Sequence, residues 1–331
     1  APLRPCVKYT RFRLDTRARK AYALSYRFYR FSMYLIALYA LHIAALIFWV
    51  RLWSTPAREF YFNPFLSGTI RLTDNIFAFL RPVLFMPERA AALLLLLFVL
   101  VFKTIFVWRF GGEWLIRIGH SFMFAPPPAK NHAVSLFLFS TLQTVVFILR
   151  LWTVYLLVRL ITPPARTSRA GEALAFFVRP FSYLPFLLQP IVLLALHGVL
   201  AVILVHVCVL KPVMIQSAQG PINPFLTGPL FAQALKMGWL AVLSFCDGLM
   251  FLTRSLFVLI IASFGAALLQ ARGAVIICSE GVELLLGRFA RRGGTGMGLD
   301  FTPLIFFFVV DLLYSSIGQV LTQLIHLPLL N

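Results

Sequence analysis

Six stretches of the chain are continuously apolar and long enough to cross a hydrocarbon layer of about 30 Å, which takes roughly 20 residues of α-helix. They cover residues 32–50, 90–108, 133–161, 184–210, 239–269 and 303–324. Their apolar positions do not alternate with polar ones. Only helices and closed barrels satisfy their backbone groups in lipid, so this pattern predicts spanning helices rather than strands. The third, fourth and fifth stretches exceed the length of one crossing, so those helices either tilt or continue past the bilayer.

Between paired stretches the pattern turns amphipathic. In IRLTDNIFAFLRPVLFMPE, residues Arg71, Asp74, Asn75 and Arg81 share one helical stripe, while Ile76, Phe77, Leu80 and Leu84 face elsewhere. A helix lying in the membrane interface has this design. GEALAFFVRPFSYLP, between the third and fourth stretches, repeats it: Glu172 precedes Arg179 by seven residues, as Asp74 precedes Arg81. Seven residues are about two helical turns, which puts acid and base on one face. In both segments the Arg is followed by Pro (Pro82, Pro180), and a further Pro (Pro87, Pro185) opens the next span. Between the last two stretches, Glu280, Glu283, Arg288, Arg291 and Arg292 precede a glycine-rich turn and Pro303. A short identity adds to the regularity, since NPFLSG at 63–68 recurs as NPFLTG at 223–228.

The expected fold is therefore an all-α polytopic membrane protein with six transmembrane helices, arranged as three helical hairpins with interfacial amphipathic loop helices. The expected divisions are a basic N-terminal arm (1–31) and three hairpins with their linkers (32–132, 133–238 and 239–331).

Composition sharpens the class. Of 331 residues, 60% are apolar and 12% charged, against about 45–50% and about 25% in soluble domains. A mean hydropathy of +0.88 agrees. Soluble-enzyme, disordered and disulfide-scaffold classes are excluded together. The formal net charge of +19 calls for anionic neighbours. For a membrane protein these are lipid head groups, anionic ones above all, or other subunits of a membrane complex, with no direct role for nucleic acid. The arm holds nine basic residues against Asp15 alone, a net +8, and includes Arg11, Arg13, Arg17, Arg19 and Lys20, the expected contacts for anionic lipid or a partner. By the positive-inside rule the arm stays on the cytoplasm-like side, and six spans return the C-terminus there. It is also Arg-rich and acid-poor, as organellar targeting peptides are.

Four ionisable residues sit well inside apolar stretches: Arg150, Asp247, Arg254 and Asp311. Such a charge costs about 2.5–3.5 kcal/mol on insertion scales and needs a partner. The expectation is one internal polar cluster, in which Asp247 and Asp311 neutralise Arg254 and Arg150. Cys6, Cys208, Cys246 and Cys278 have neither metal-site nor redox spacing and read as packed or free thiols. His42, His197 and His206 raise the question of haem, but His197 and His206 are nine residues apart on poorly matched faces, so no cofactor is expected. No catalytic motif is present, and an enzyme is not expected.

The stretch GMGLDFTPLI (296–305), following an Arg-rich segment and leading into an apolar span, resembles the signature of the YGGT family of membrane proteins, in which Gly-x-Asp-x-Ser-Pro opens the second helix of a hairpin. NPFLSGTIRLTDNIFAFLRPV (63–83) is similar to that family's Asn-Pro loop and basic amphipathic helix. The positions that match the family pattern are Asn63, Pro64, Arg71, Asp74, Arg81 and Pro82, with Gly298, Asp300, Thr302 and Pro303 near the C-terminus. Thr302 stands where the family has Ser, and the middle hairpin lacks the Asn-Pro. The resemblance implies a non-enzymatic membrane protein with accessory or assembly work. The expected role is an accessory, scaffold or assembly subunit in an energy-transducing membrane, either a bacterial inner membrane or an organellar inner or thylakoid membrane. The rival expectation is a small-solute or ion transporter using the buried Arg and Asp residues.

Overall fold

The computed structural model describes residues 16–53, 61–110, 114–127, 132–162, 168–211, 224–287, 289 and 302–325. Over these the protein is an all-α polytopic membrane protein, with six helices long and apolar enough to cross a bilayer. They are α1 (Thr16–Trp53), α3 (Glu88–Phe110), α4 (His132–Ile161), α6 (Leu188–Val207), α7 (Leu230–Leu268) and α9 (Thr302–Ile325). Between members of successive pairs lie α2 (Ser67–Leu84), α5 (Arg169–Phe177) and α8 (Arg272–Leu286). Local chemistry explains several boundaries. Ser168 caps α5 by accepting from the Gly171 N–H. Pro229 stands immediately before α7, and Pro303 occupies the first turn of α9, where its missing N–H is no loss.

The packing is centred on α7, which touches α4, α6, α8 and α9, while α1 and α3 pair with each other and reach the rest through α4 and α5. Helix directions alternate. The C-terminal end of α1 meets the start of α3 through Arg51 and Glu88, and the end of α4 meets the start of α6 through Arg159 and Gln189. Both junctions lie at the end of the bundle that carries α2 and α5.

The opposite half of the bundle holds an element the hydropathy pattern did not predict. Strands β1 (Ile116–Ile118), β2 (Phe122–Ala125) and β3 (Val209–Lys211) form an antiparallel sheet in the order β1-β2-β3, with Ile118 opposite Phe122 and Phe124 opposite Leu210. Ile116, Ile118, Phe122 and Phe124 are all buried, and Phe122 and Phe124 pack on Phe225 beside the start of α7. The signal is present but slight in IRIGHSFMF: Ile116-Arg117-Ile118 alternates, a Gly-His-Ser turn follows, and the apolar Phe122–Phe124 comes next, a hairpin pattern short enough to be overshadowed by the long helices around it.

Other boundaries moved as well. Helix α1 runs unbroken from Thr16 into the first span, so the second half of the basic arm is helical. Helix α6 is only 20 residues long, because the end of its apolar stretch turns back as β3. Helix α7 starts nine residues before the predicted stretch and is 39 residues long. The two NPFL hexapeptides also prove non-equivalent: the first leads into the connecting helix α2, the second into the long helix α7. Their shared feature, over the described residues 63–68 and 224–228, is a tight turn ahead of a helix, which the common Pro-Phe-Leu and the closing Gly favour in either place.

Candidate functional site

The polar centre of the bundle is built where the tip of the β1–β2 hairpin meets α4, α7 and α9. Arg150 Nη2 donates to Asp247 Oδ2 (2.7 Å) and to the Arg117 carbonyl (2.5 Å). Asp247 Oδ1 accepts from the Gly119 N–H (3.0 Å) and from the Tyr314 hydroxyl (2.8 Å). One carboxylate thus takes donors from α4, α9 and the hairpin, and one guanidinium bridges helix and strand. Asp247 is buried and Arg150 partly so. Two further contacts fasten the tip to α9: the His120 ring lies edge-on to Tyr314 (5.1 Å between centroids), and Ser121 Oγ stands 3.5 Å from Thr322 Oγ1.

Irregular backbone is tolerated at membrane depth only where protein groups satisfy it. Arg150 and Asp247 do this for the hairpin, one accepting a backbone N–H and the other donating to a backbone carbonyl. Gly119 makes the approach possible: its φ is +62°, and a Cβ there would stand 2.8 Å from Leu243 Cδ2. Depth follows from α6, whose 20 residues measure about 30 Å, one hydrocarbon thickness, between Gln189 at one end and Lys211 just past the other. On α4, Arg150 is nine residues from Arg159, about 14 Å and so near the middle of that layer.

A second set of polar contacts ties the same part of α4 and α7 to α6. His197 on α6 hydrogen-bonds to Ser244 Oγ (2.9 Å) on α7 and to Thr153 Oγ1 (3.3 Å) on α4. The Thr153 hydroxyl donates to the Leu149 carbonyl, so His197 Nε2 is the donor to Thr153 and Nδ1 accepts from Ser244. Gly248, beside Asp247, packs directly on the Thr153 side chain with no room for a Cβ, the small-residue crossing typical of membrane helices.

The predicted four-residue charge cluster is therefore corrected. Asp247 neutralises Arg150, not Arg254. Arg254 is exposed and touches Met250 Sδ (3.4 Å), while Asp311 is half-buried on α9; neither joins an ion pair among the described residues. The sequence reading also missed three cations. Lys103, fully buried on α3, donates to the Ser140 carbonyl (2.8 Å) and Thr144 Oγ1 (3.0 Å) on α4. Lys236, equally buried, pins the turn ahead of α7 by donating to the carbonyls of Pro224 (2.9 Å) and Thr227 (3.2 Å). Arg51 lies at the end of α1, and its signal, like that of Lys103, was a lone cation in an apolar run.

Arg51 organises the first connecting helix. It pairs with Asp74 (2.7 Å) and Glu88 and sits over the Phe77 ring. Tyr61 donates to Asp74, and that carboxylate holds the phenol above its ordinary pKa. Asp74 thus faces Arg51; the side chains of Arg81 and Pro82, within α2, lie outside the described set, and Arg71 is exposed. Asn63 Oδ1 accepts from the Phe65 N–H and its Nδ2 donates to the Arg169 carbonyl at the start of α5, with Pro64 exposed in the turn between. In the second unit Arg179 stacks on Phe176 and Tyr183. Thr302 and Pro303 open α9, whereas Gly298 and Asp300 lie outside the described residues, as do Arg11 and Arg13; Arg17, Arg19 and Lys20 fall in the first turns of α1. Among the described residues no three His, Cys, Asp or Glu side chains stand together as a metal site would require.

No protein family, characterised protein or solved structure matches the chain.

Proposed function

We propose that this protein is a non-catalytic accessory, scaffold or assembly subunit of a larger complex in an energy-transducing membrane. The observation that carries this reading is the use made of the central ion pair: Arg150 and Asp247 fasten a hairpin tip and three helices into one junction. A charged pair with all those ligands is a fixed fastening. It suits a rigid platform better than a site whose protonation or contacts change in a cycle. The basic composition and the resemblance of residues 63–83 and 296–305 to YGGT hairpins point the same way.

Purification in mild detergent tests the reading. A scaffold is recovered in a larger assembly with other subunits in fixed stoichiometry; a monodisperse lone chain that drives solute flux in liposomes overturns it. One observation favours that second, transporter reading: Arg254 and Asp311 stand outside the junction, on the neighbouring helices α7 and α9. Flux that is abolished by Arg254→Leu or Asp311→Asn is its signature.

A further inference from the structure

One flank of α9 is polar inside the hydrocarbon layer. The helix packs chiefly on α7 and buries Phe306, Val310, Tyr314, Gly318 and Leu321. The residues that follow the last four, Asp311, Ser315, Gln319 and Thr322, are turned about 100° from the buried face and share one flank. The residues that precede the same four, Val309, Leu313, Ile317 and Val320, form the other flank and are apolar and exposed. Tyr314 meets Asp247 near the middle of the layer, so Asp311, Ser315 and Gln319 lie within about 8 Å of that level. Thr322 stands against Ser121 (3.5 Å). The side chains of Asp311, Ser315 and Gln319 make no hydrogen bond among the described residues, and Gln319 is exposed.

Lipid covers the apolar flank, but hydrocarbon offers neither donor nor acceptor to the polar one. Helix α7 adds a cation beside it. Leu243 lies against Gly318 as Asp247 does against Tyr314, so α7 and α9 run antiparallel and Met250 is level with Asp311. Arg254 continues the stripe of α7 that carries Leu243, Asp247 and Met250, one turn and so about 6 Å along from Asp311. It is exposed, with Met250 Sδ as its neighbour (3.4 Å).

This set is complementary to itself. Ser and Gln side chains both donate and accept, so each can bond its own counterpart. A two-fold axis along the membrane normal brings equal depths of two chains together, and it lets residue i of one copy meet residue j of the other in both directions. Ser315 and Gln319 then face their counterparts. Each Arg254 reaches along one turn, about the length of its own side chain, to the other copy's Asp311. A foreign subunit would have to supply an acid, a base and hydrogen-bonding groups at these same depths; a second copy supplies all of them by symmetry.

We propose that the polar flank of α9 is the contact between two copies of this chain in the membrane, a Ser315–Gln319 seam closed by two reciprocal Arg254–Asp311 ion pairs. The inference goes beyond the scaffold reading and does not depend on it.

The test uses the full chain in its own membrane, with the four native cysteines replaced by serine. Under a copper–phenanthroline oxidant, Gln319→Cys should give at least tenfold more disulfide-linked dimer than Leu313→Cys or Val320→Cys on the apolar flank. Adding Arg254→Glu or Asp311→Lys to Gln319→Cys should each reduce that dimer at least tenfold, because either change sets like charges together. Co-expressing these two differently tagged chains should restore it as a mixed dimer, in which the new acid at 254 meets the new base at 311 and the native Arg254 meets the native Asp311. Each variant chain, dissociated in detergent, should keep the parent's unfolding midpoint, since both positions lie outside the Arg150–Asp247 junction. The comparison of positions 319, 313 and 320 needs no charge variant, so it decides the contact even if one of those fails to fold. No dimer through 319, or equal dimer from both flanks, overturns the contact, and a link from 319 to a different protein overturns the choice of a second copy. Loss in both charge variants without rescue on co-expression places the ion pair within one chain and overturns the reciprocal pairing. The scaffold reading is decided separately, by whether other subunits co-purify.

Discussion

At the scale of single residues, Asp247 is the position on which most depends. It accepts from a guanidinium, a phenol and a backbone N–H in a buried setting. Removing one member of a buried, hydrogen-bonded ion pair costs about 3–5 kcal/mol, because the other charge is left uncompensated. Asp247→Ala should therefore lower stability in detergent by about 3 kcal/mol or more, and Tyr314→Phe by about 1 kcal/mol, the worth of one hydrogen bond. Arg254→Leu should change stability by less than about 0.5 kcal/mol, as for an exposed side chain outside any network. Unfolding curves of the three variants check the order, and equal effects at Asp247 and Arg254 would contradict the described junction. Lys103 makes a different case: it is buried with a carbonyl and a hydroxyl as acceptors. Met keeps its length and removes the desolvation cost, so Lys103→Met should leave stability unchanged or raise it. A loss of more than about 1 kcal/mol in the same unfolding assay would show that the ammonium is a fastening between α3 and α4. That Arg150 and Asp247 need partners was legible from their position in apolar runs. Which partner each takes was not, because the seven-residue spacing of Asp247 and Arg254 is equally compatible with pairing along the helix, and the true partner is 97 residues away.

At the scale of elements, the inserted hairpin is held by shape as well as by charge. Gly119 has a left-handed φ and lies against Leu243; Gly248 lies against Thr153. A side chain at Gly119 must both strain the turn and displace Leu243, so Gly119→Val should destabilise by about 2 kcal/mol or more. Gly248→Leu should separate α4 from α7 and weaken the Arg150–Asp247 contact with it. Gly68→Ala is the matched control, since nothing lies within 4 Å of a Cβ there; in α2 it should be neutral or stabilise by up to about 1 kcal/mol. Thermal unfolding of the three variants separates these outcomes, and a Gly119→Val protein as stable as Gly68→Ala would mean that the hairpin tip is not seated at the junction. The long helices were legible because a run of some 20 apolar residues has few alternatives. The sheet was not, because three- and four-residue strands carry too few alternations to compete with neighbouring helical runs, and β2 pairs with a strand more than 80 residues away.

At the scale of the whole molecule, the antiparallel succession of six spanning helices sorts every connection to one side or the other. Helices α2, α5 and α8 fall on one side. The β-sheet, the end of α3 and the start of α7 fall on the other, the side that the basic N-terminal arm selects under the positive-inside rule. Two exposed positions on each side make this measurable: Arg71 in α2 and Ala271 ahead of α8 on the first, Arg109 at the end of α3 and Phe231 at the start of α7 on the second. In sealed vesicles, with the four native cysteines replaced by serine, cysteines at 71 and 271 should react with a membrane-impermeant reagent from the face opposite the arm. Cysteines at 109 and 231 should react only after the vesicles are opened or inverted. Positions 71 and 271 reacting from opposite faces would remove one crossing from the bundle. The experiment also bears on the 39-residue helix α7: a cysteine at 271 should label as fast as one at 71 if the end of α7 stands clear of the lipid, and far more slowly if the helix tilts or the bilayer thickens to enclose it.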